Sequence, residues 1–408
     1  MSTSSGTLDV VIIGGLGHVG LPLGIVLANT GLQVGLYDID ESRRAIVERG
    51  EMPFIEYDAG PILRQVIRKQ LHVVSNLDVV RNAASVIVTI GTPLDEYLNP
   101  KMTGMMRLAE QLVRHLRADQ HVILRSTVYP GTTRKLFDYF SGLGLDVQLS
   151  FCPERIAQGY AIRELRKLPQ IISGFTAEAV AQAEALFSRL EVPTVTLSVQ
   201  EAELAKLFSN AWRYIQFATA NQFYMIACES GADFYKIHHA MTAGYERAGD
   251  FPRPGFAAGP CLLKDTMQLA AFHRGSFQLG HASMLINEGL PDFLVSSLAK
   301  QYDLLNFPVG ILGMAFKADI DDIRDSLSYK LRKALAFHGA RVLCSDEYAK
   351  DPTFVSKEAL IDRSRVIIVG APHSQYRELI FPSTKHVIDI WGLYAKEQES
   401  ALLNESIR

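Results

Sequence analysis

The chain is most constrained by a β-branched run that breaks into a glycine-rich turn and resumes as an apolar helix. Residues 9–14 read Asp-Val-Val-Ile-Ile-Gly, the composition of a parallel strand buried on both faces. Gly15-Leu16-Gly17-His18-Val19-Gly20 follows at once, and Leu21-Pro22-Leu23-Gly24-Ile25-Val26-Leu27-Ala28 continues as a helix. That order points to an open parallel sheet whose first turn holds a dinucleotide. Gly15 is expected to permit the tight turn, Gly17 to let a pyrophosphate approach the backbone, and Gly20 to let the helix pack on the strand. Leu16, His18 and Val19 complete the phosphate loop at the helix N-terminus. The next strand-like run, residues 33–38, ends in Asp38, roughly 20 residues beyond the glycines, where a carboxylate can hold a ribose 2′-hydroxyl. Asp38 favours NAD, while Arg43 and Arg44 nearby would tolerate a 2′-phosphate.

At 408 residues the chain is long enough for two or three domains. Charged residues make up 21% and the formal net charge is -3, so no basic excess points to nucleic acid. The first residues lack a basic segment followed by an apolar one, and no later apolar run approaches a membrane span. A cytoplasmic protein without membrane contact is expected. The four cysteines, Cys152, Cys228, Cys261 and Cys344, are far apart and show no metal-ligand spacing. They read as reduced thiols, with Cys152 and Cys228 in the core and Cys344 inert in mid-strand.

Further strand-like runs at 85–90 and 121–125 end in small and polar residues, where open α/β sheets bind ligands. Their loops carry Thr92-Pro93 and Ser126-Thr127. Thr127 is a candidate to hold a water or a cofactor hydroxyl, and Ser126 and Thr132 read as helix caps. The run 147–152 leads into Pro153-Glu154-Arg155, where Glu154 is either a general base or half of a surface ion pair. From 200 to 245 the pattern is helical, with Glu203, Lys206, Asn210 and Arg213 on one stripe. Such a stripe is either a solvated helix face or, with Leu204, Leu207, Phe208 and Trp212 flanking it, part of a largely buried helix whose Lys and Asn would need partners or a ligand.

A second helical stretch at 281–301 precedes strand-like runs at 309–313, 341–345, 365–369 and 386–390, which predict another parallel sheet without its own glycine fingerprint. Its first turn mixes cations and carboxylates, so Lys317 and Arg324 either hold phosphates or join a salt-bridge cluster. Between the sheets, residues 255–266 read Gly-Phe-Ala-Ala-Gly-Pro-Cys-Leu-Leu-Lys-Asp-Thr. Cys261 then sits on a small-residue turn ahead of Lys264 and Asp265. Backbone N–H groups freed by Gly255 and Gly259 could face an oxyanion, an ammonium could favour the thiolate, and a carboxylate could handle protons. The alternative is an inert buried thiol.

Taken in order, these segments resemble the UDP-glucose/GDP-mannose dehydrogenase family of NAD-dependent nucleotide-sugar 6-dehydrogenases. The resemblance also takes in Gly50-x-x-Pro53-x-x-Glu56, Thr92-Pro93-Leu94, Ser126-Thr127-Val128-x-Pro130-Gly131-Thr132-Thr133, Cys261-x-x-Lys264-Asp265 and the run from Phe316 to Ser326. It implies an α/β fold: two Rossmann-like, doubly wound parallel-sheet domains joined by a central helical dimerisation region. The expected parts are residues 1–198 for NAD, 199–300 for dimerisation and 301–408 for the nucleotide sugar.

By the same resemblance, Cys261 would attack a C6 aldehyde, pass through a thiohemiacetal and a thioester, and release a uronic acid. Lys206 and Asn210 would stabilise negative oxygen, Asp265 and Glu154 would manage water and protons, and Thr127 would orient the water. Arg43, Thr92, Pro93 and Arg324 would contact NAD, and Gly255 and Lys317 the UDP-sugar. Arg247 would reach the substrate of a second copy in a homodimer. No metal is implied. Ala257 and Ala258 stand where the family has more glycine, so any need there for positive φ or close backbone approach would go unmet. Pro153-Glu154-Arg155 is similar to the N-acetylhexosaminuronate branch and Cys-x-x-Lys-Asp to the UDP-glucose and GDP-mannose branches, which leaves the sugar open. A two-electron dehydrogenase of the hydroxy-acid or 6-phosphogluconate type and a non-catalytic sensor of NAD and nucleotide sugar are the other readings.

Overall fold

The computed structural model describes residues 7–394, which divide into two compact units, residues 7–209 with 271–273 and residues 210–270 with 274–394. The first unit contains β1 (Leu8–Ile13), β2 (Val34–Tyr37), β3 (Leu71–Val74), β4 (Ala83–Val88), β5 (His121–Leu124) and β6 (Gln148–Phe151). They form one parallel sheet in the order β3-β2-β1-β4-β5-β6. This is the doubly wound order, whose chain reverses direction across the sheet between β1 and β4 and opens a crevice at the strands' C-terminal ends. Val10 and Ile12 point into one core and Val11 and Ile13 into another. Burial on both faces explains why β1 is continuously apolar rather than alternating. A separate parallel pair joins β7 (Gln170–Ile172) to β8 (Thr194–Thr196).

Helix α1 (Gly20–Asn29) follows the glycine turn as expected. The positive φ of that turn, however, falls on Gly14 at 75° and not on Gly15. Gly15 is needed for closeness instead, since a Cβ there would lie 2.8 Å from the Ile12 carbonyl oxygen and 3.0 Å from Leu36. At Gly20 a Cβ would lie 2.5 Å from the Gly14 oxygen, so the helix can start only where that residue has no side chain.

The second unit holds β9 (Val309–Leu312), β10 (Val342–Ser345), β11 (Val366–Val369) and β12 (His386–Ile388), parallel in the order β10-β9-β11-β12. Besides α2 (Thr132–Gly142) in the first unit, three further helices matter to function: α3 (Val199–Glu229), α4 (Leu262–Phe272) and α5 (Gln278–Ala299). Helix α3 runs 31 residues without Gly or Pro. Of the two readings of its polar stripe the buried one fits, but two of the flanking apolar residues are not in the core. Glu203, Lys206 and Asn210 are buried, whereas Phe208 and Trp212 are 54% and 59% exposed and continue along the helix into exposed Phe223 and Ile226. The polar groups can turn inward because each finds a partner there, as described below. Cys228 is also exposed and not core, whereas Cys152 and Cys344 are buried. Burial pushes the Cys152 thiol up to about 12.

His121 lies inside the first sheet between the hydroxyls of Ser85, 3.1 Å from Nδ1, and Ser150, 3.0 Å from Nε2. Burial pulls its pKa down from 6.5 to about 4. Between those values the unfolded chain takes up a proton that the folded one refuses, so stability is full above pH 6.5 and declines as pH falls toward 4. Urea unfolding over that window is expected to show a loss of up to about 3 kcal/mol, and His121→Gln is expected to flatten that part of the curve.

Candidate active site

At the end of β2, Asp38 accepts the Leu16 N–H through Oδ2 at 3.0 Å and the Asp40 N–H through Oδ1 at 3.1 Å. The carboxylate is thus fixed beside the glycine turn. The α1 N-terminus has no side-chain cap on Val19 and no acid in its first turn, leaving its positive dipole end available to an anion. At Gly17 a Cβ would meet only the Gly14 oxygen, at 3.4 Å. These features fit a dinucleotide whose pyrophosphate rests on the turn and whose ribose meets Asp38. Arg43 donates to the Leu16 carbonyl at 3.3 Å, pairs with Asp40 and lies over Phe54; Arg44 donates to the Asp38 carbonyl at 3.0 Å. Thr92, next to Pro93, donates to the Thr127 carbonyl at 2.5 Å and so ties the loops after β4 and β5 together.

Also in the first unit, Lys206 donates to Glu154 Oε1 at 3.2 Å, with side chains only 5% and 11% exposed. The pair is therefore buried and not a surface ion pair. Glu154 Oε2 accepts the Ile156 N–H at 2.9 Å, which holds the carboxylate from its other side. One turn earlier on α3, buried Glu203 accepts the Gly131 N–H at 2.6 Å, the Thr133 N–H at 3.0 Å and the Thr133 hydroxyl at 2.6 Å. A carboxylate from a distant helix thus caps α2. Ser126 and Thr132, expected as caps, bond to the Val88 and Tyr129 carbonyls instead. Arg125, 1% exposed, donates to the Cys152 carbonyl at 3.1 Å and to Gln170 at 2.9 Å. Burial pulls its pKa below the usual arginine range, and the Glu154 carboxylate opposes that pull.

In the second unit, Cys261 is exposed and stands immediately before α4, its carbonyl accepting the Asp265 N–H at 2.9 Å. The positive end of the helix dipole favours negative charge at that position. Asp265 is fully buried and receives Asn210 Nδ2 at 2.6 Å on one oxygen and Lys264 Nζ at 2.5 Å on the other. Both oxygens being engaged, Asp265 orients the Asn210 amide and the Lys264 ammonium beside the sulfur-bearing turn.

The cysteine loop is held by its backbone. The Asn221 amide accepts the Gly255 N–H at 2.8 Å, donates to the Gly255 carbonyl at 3.0 Å and to Asn287 at 2.8 Å, and Asn287 donates to the Tyr214 carbonyl at 2.9 Å. A Cβ on Gly255 would lie 2.2 Å from the Trp391 ring, and one on Gly259 2.5 Å from Phe316. Gly259, at φ 93°, also donates to the Asp325 carbonyl. Ala257 and Ala258 are not among the residues with positive φ, so their methyl groups meet no backbone strain. Arg324 chelates Asp322, down to 2.6 Å, and this pairing raises its pKa, to which nearby Cys261 also contributes. Lys317 is half-buried on the turn after β9, and Arg247 lies on the exposed one-turn helix Glu246–Ala248.

A cavity of about 680 Å³ opens in the same unit. Arg213, Arg253 and Arg377 line it against a single carboxylate, Asp319, together with the rings of Phe217 and Trp391. Lys317 is not part of the lining, although its neighbours Ala318 and Asp319 are. Sequence reasoning passed over Arg125, Asn221, Asn287 and Trp391. A polar residue inside an otherwise apolar run is the signal that could have singled out the first three, because burial obliges such groups to be partnered; Trp391 carried no signal of that kind.

Residues 9–191 match the UDP-glucose/GDP-mannose dehydrogenase family, NAD binding domain; residues 200–288 match its central domain and residues 310–396 its UDP binding domain. The chain belongs to this family. It is therefore a nucleotide-sugar dehydrogenase by descent, an oxidoreductase class with NAD as cofactor and a nucleotide sugar as substrate. It is 28% identical over 400 residues to a UDP-N-acetyl-D-mannosamine dehydrogenase of Pyrococcus horikoshii, covering 93% of this chain and 94% of the relative. It is 27% identical over 393 residues to a UDP-N-acetyl-D-glucosamine 6-dehydrogenase of Pseudomonas aeruginosa, covering 91% and 89%. The structure of a UDP-glucose dehydrogenase from Pyrobaculum islandicum superposes with a TM-score of 0.87 at 24% identity, covering 95% of each chain, and shares the fold. Among the described residues no helix is long and apolar enough to cross a membrane.

Removing the charge of Glu203 weakens the cap of α2. Glu203→Gln is expected to destabilise the protein by about 2 kcal/mol, seen as a lower thermal midpoint, with the remaining activity of folded enzyme reduced because Lys206 shares its helix.

Proposed function

We propose that this protein oxidises the C6 hydroxymethyl group of a UDP-sugar to the carboxylate in two NAD-dependent steps, with a 2-acetamido hexose as the preferred sugar. The observation that carries the reading is Cys261 at the N-terminus of α4, beside an Asp265 that holds both Lys264 and Asn210. The sugar preference is supported by Pro153-Glu154-Arg155 and by the N-acetylated substrates named in relatives from Pyrococcus and Pseudomonas.

In this reading the Cys261 thiolate adds to the C6 aldehyde and forms a thiohemiacetal. Its oxidation leaves a thioester on the sulfur. Water then adds to the carbonyl carbon, the C–S bond breaks, and the uronic acid and free thiol are released. Bound NAD supplies the hydride acceptor, one molecule for each oxidation. Asn210, aimed by Asp265, and Lys206, aimed by Glu154, stabilise negative charge on oxygen. Glu154 takes the proton of the attacking water, which Thr127 orients. The guanidiniums and aromatic rings of the second unit's cavity suit a nucleotide diphosphate, with charge on the phosphates and stacking on the base. Lys317 and Gly255 contact the sugar nucleotide, and Arg324 the cofactor. The chain is organised as residues 1–198 for NAD, 199–300 for dimerisation and 301–408 for the nucleotide sugar. The exposed apolar stripe of Phe208, Trp212, Phe223 and Ile226 supports the homodimer, in which Arg247 reaches a second copy's substrate.

NADH formed per sugar consumed decides the reading. With UDP-N-acetylmannosamine or UDP-N-acetylglucosamine, two NADH per sugar are expected at a higher kcat/KM than with UDP-glucose or GDP-mannose, and Cys261→Ser should lower kcat by about a thousandfold or more. One NADH per sugar would point to a two-electron dehydrogenase, and binding without NADH to a sensor. Arg253→Ala and Arg377→Ala should each raise KM about tenfold with little change in kcat.

A further inference from the structure

Arg125 is the largest fully buried side chain among the described residues. It ends β5, immediately before Ser126 and Thr127, and its planar fork is shared between the Cys152 carbonyl and the Gln170 side chain while its face lies 4.9 Å from the Phe187 ring. Its own carbonyl accepts the Glu154 N–H at 3.4 Å. Arg125 therefore grips the stretch Cys152-Pro153-Glu154 at both ends. That stretch needs gripping, because Pro153 has no N–H with which to tie itself to a neighbour. A buried cation is costly, and packing alone would be served as well by an apolar side chain. The carboxylate of Glu154, itself paired with Lys206 at 3.2 Å, opposes the loss of that charge.

We infer that Arg125 is a positioning residue for the last step of the reaction: it fixes the backbone from Cys152 to Glu154 and so holds in place the carboxylate that serves as base in the proposed thioester hydrolysis. The inference rests on the thioester reading proposed above. Arg125 touches neither substrate nor cofactor in this role and acts only through Glu154.

The test mixes the wild type, Arg125→Gln, Arg125→Lys and Glu154→Gln rapidly with saturating NAD and UDP-N-acetylmannosamine, or UDP-N-acetylglucosamine if that is turned over faster. Three quantities are read: the initial burst of NADH, the steady rate, and the intact mass of the protein. Arg125→Gln should keep the burst of each active subunit while the steady rate falls about tenfold to a hundredfold, with a glycosyl-acyl adduct accumulating on Cys261. Arg125→Lys should recover part of the steady rate, since the charge returns but the two-pronged fork does not. The ratio of burst to steady rate comes from active molecules alone, so a misfolded fraction leaves it unchanged. A wild-type ratio in both Arg125 variants, with an adduct in Glu154→Gln, would overturn the role of Arg125 and leave the mechanism standing. Absence of an adduct in all three variants would overturn the hydrolytic role of Glu154 and this inference with it.

Discussion

Burying Glu203, Lys206, Asn210 and Asn221 along one face of α3 obliges each of them to find a partner, because a polar group taken out of water without a hydrogen bond costs several kcal/mol. The partners lie on loops or in the first turns of helices. Within the first unit Glu203 holds the start of α2 and Lys206 holds Glu154; within the second Asn210 holds Asp265 and Asn221 holds Gly255. In each unit, segments that would otherwise sample many conformations are thereby referred to the part of α3 that the unit contains.

The reactive turn shows how little of its order comes from its own residues. Gly255 is held on one side by the Asn221 amide and closed on the other by the Trp391 ring, and Gly259 sits under Phe316 with its N–H on the Asp325 carbonyl. Small residues are required where aromatic rings close over the backbone, and at Ala257 and Ala258 a methyl group is accommodated at ordinary φ. Cys261 itself makes use of the end of α4, where the helix dipole favours an anion.

Much of the fold could be read from residue order. The β-branched runs and the glycine turn identified the first sheet, and the runs after residue 309 identified the second, because strands buried on both faces leave an unbroken apolar signature. β3, β7 and β8 were passed over, being short, flanked by polar residues and weak in that signature. On α3, periodicity located the helix and its polar stripe, and the apolar flank pointed to burial, but Phe208 and Trp212 were wrongly counted as core. Exposure of Phe208 and Trp212 depends on partners for Glu203 and Lys206 that lie about 50 to 70 residues away in the chain, and no local pattern encodes that distance. The same holds for Arg125, whose importance lies in the carbonyl of Cys152 and not in its own neighbours.

The length of α3 has an evolutionary corollary. A helix advances by roughly 100° per residue, so inserting or deleting one residue between Asn210 and Asn221 would swing the two amides apart around the helix, and only one of them could keep its partner in the second unit. Loops can lengthen and shorten freely as such a protein diverges, but the interval from Asn210 to Asn221 behaves as a fixed ruler. Gaps in an alignment of related chains should therefore stop short of it, even where its surface residues have changed beyond recognition.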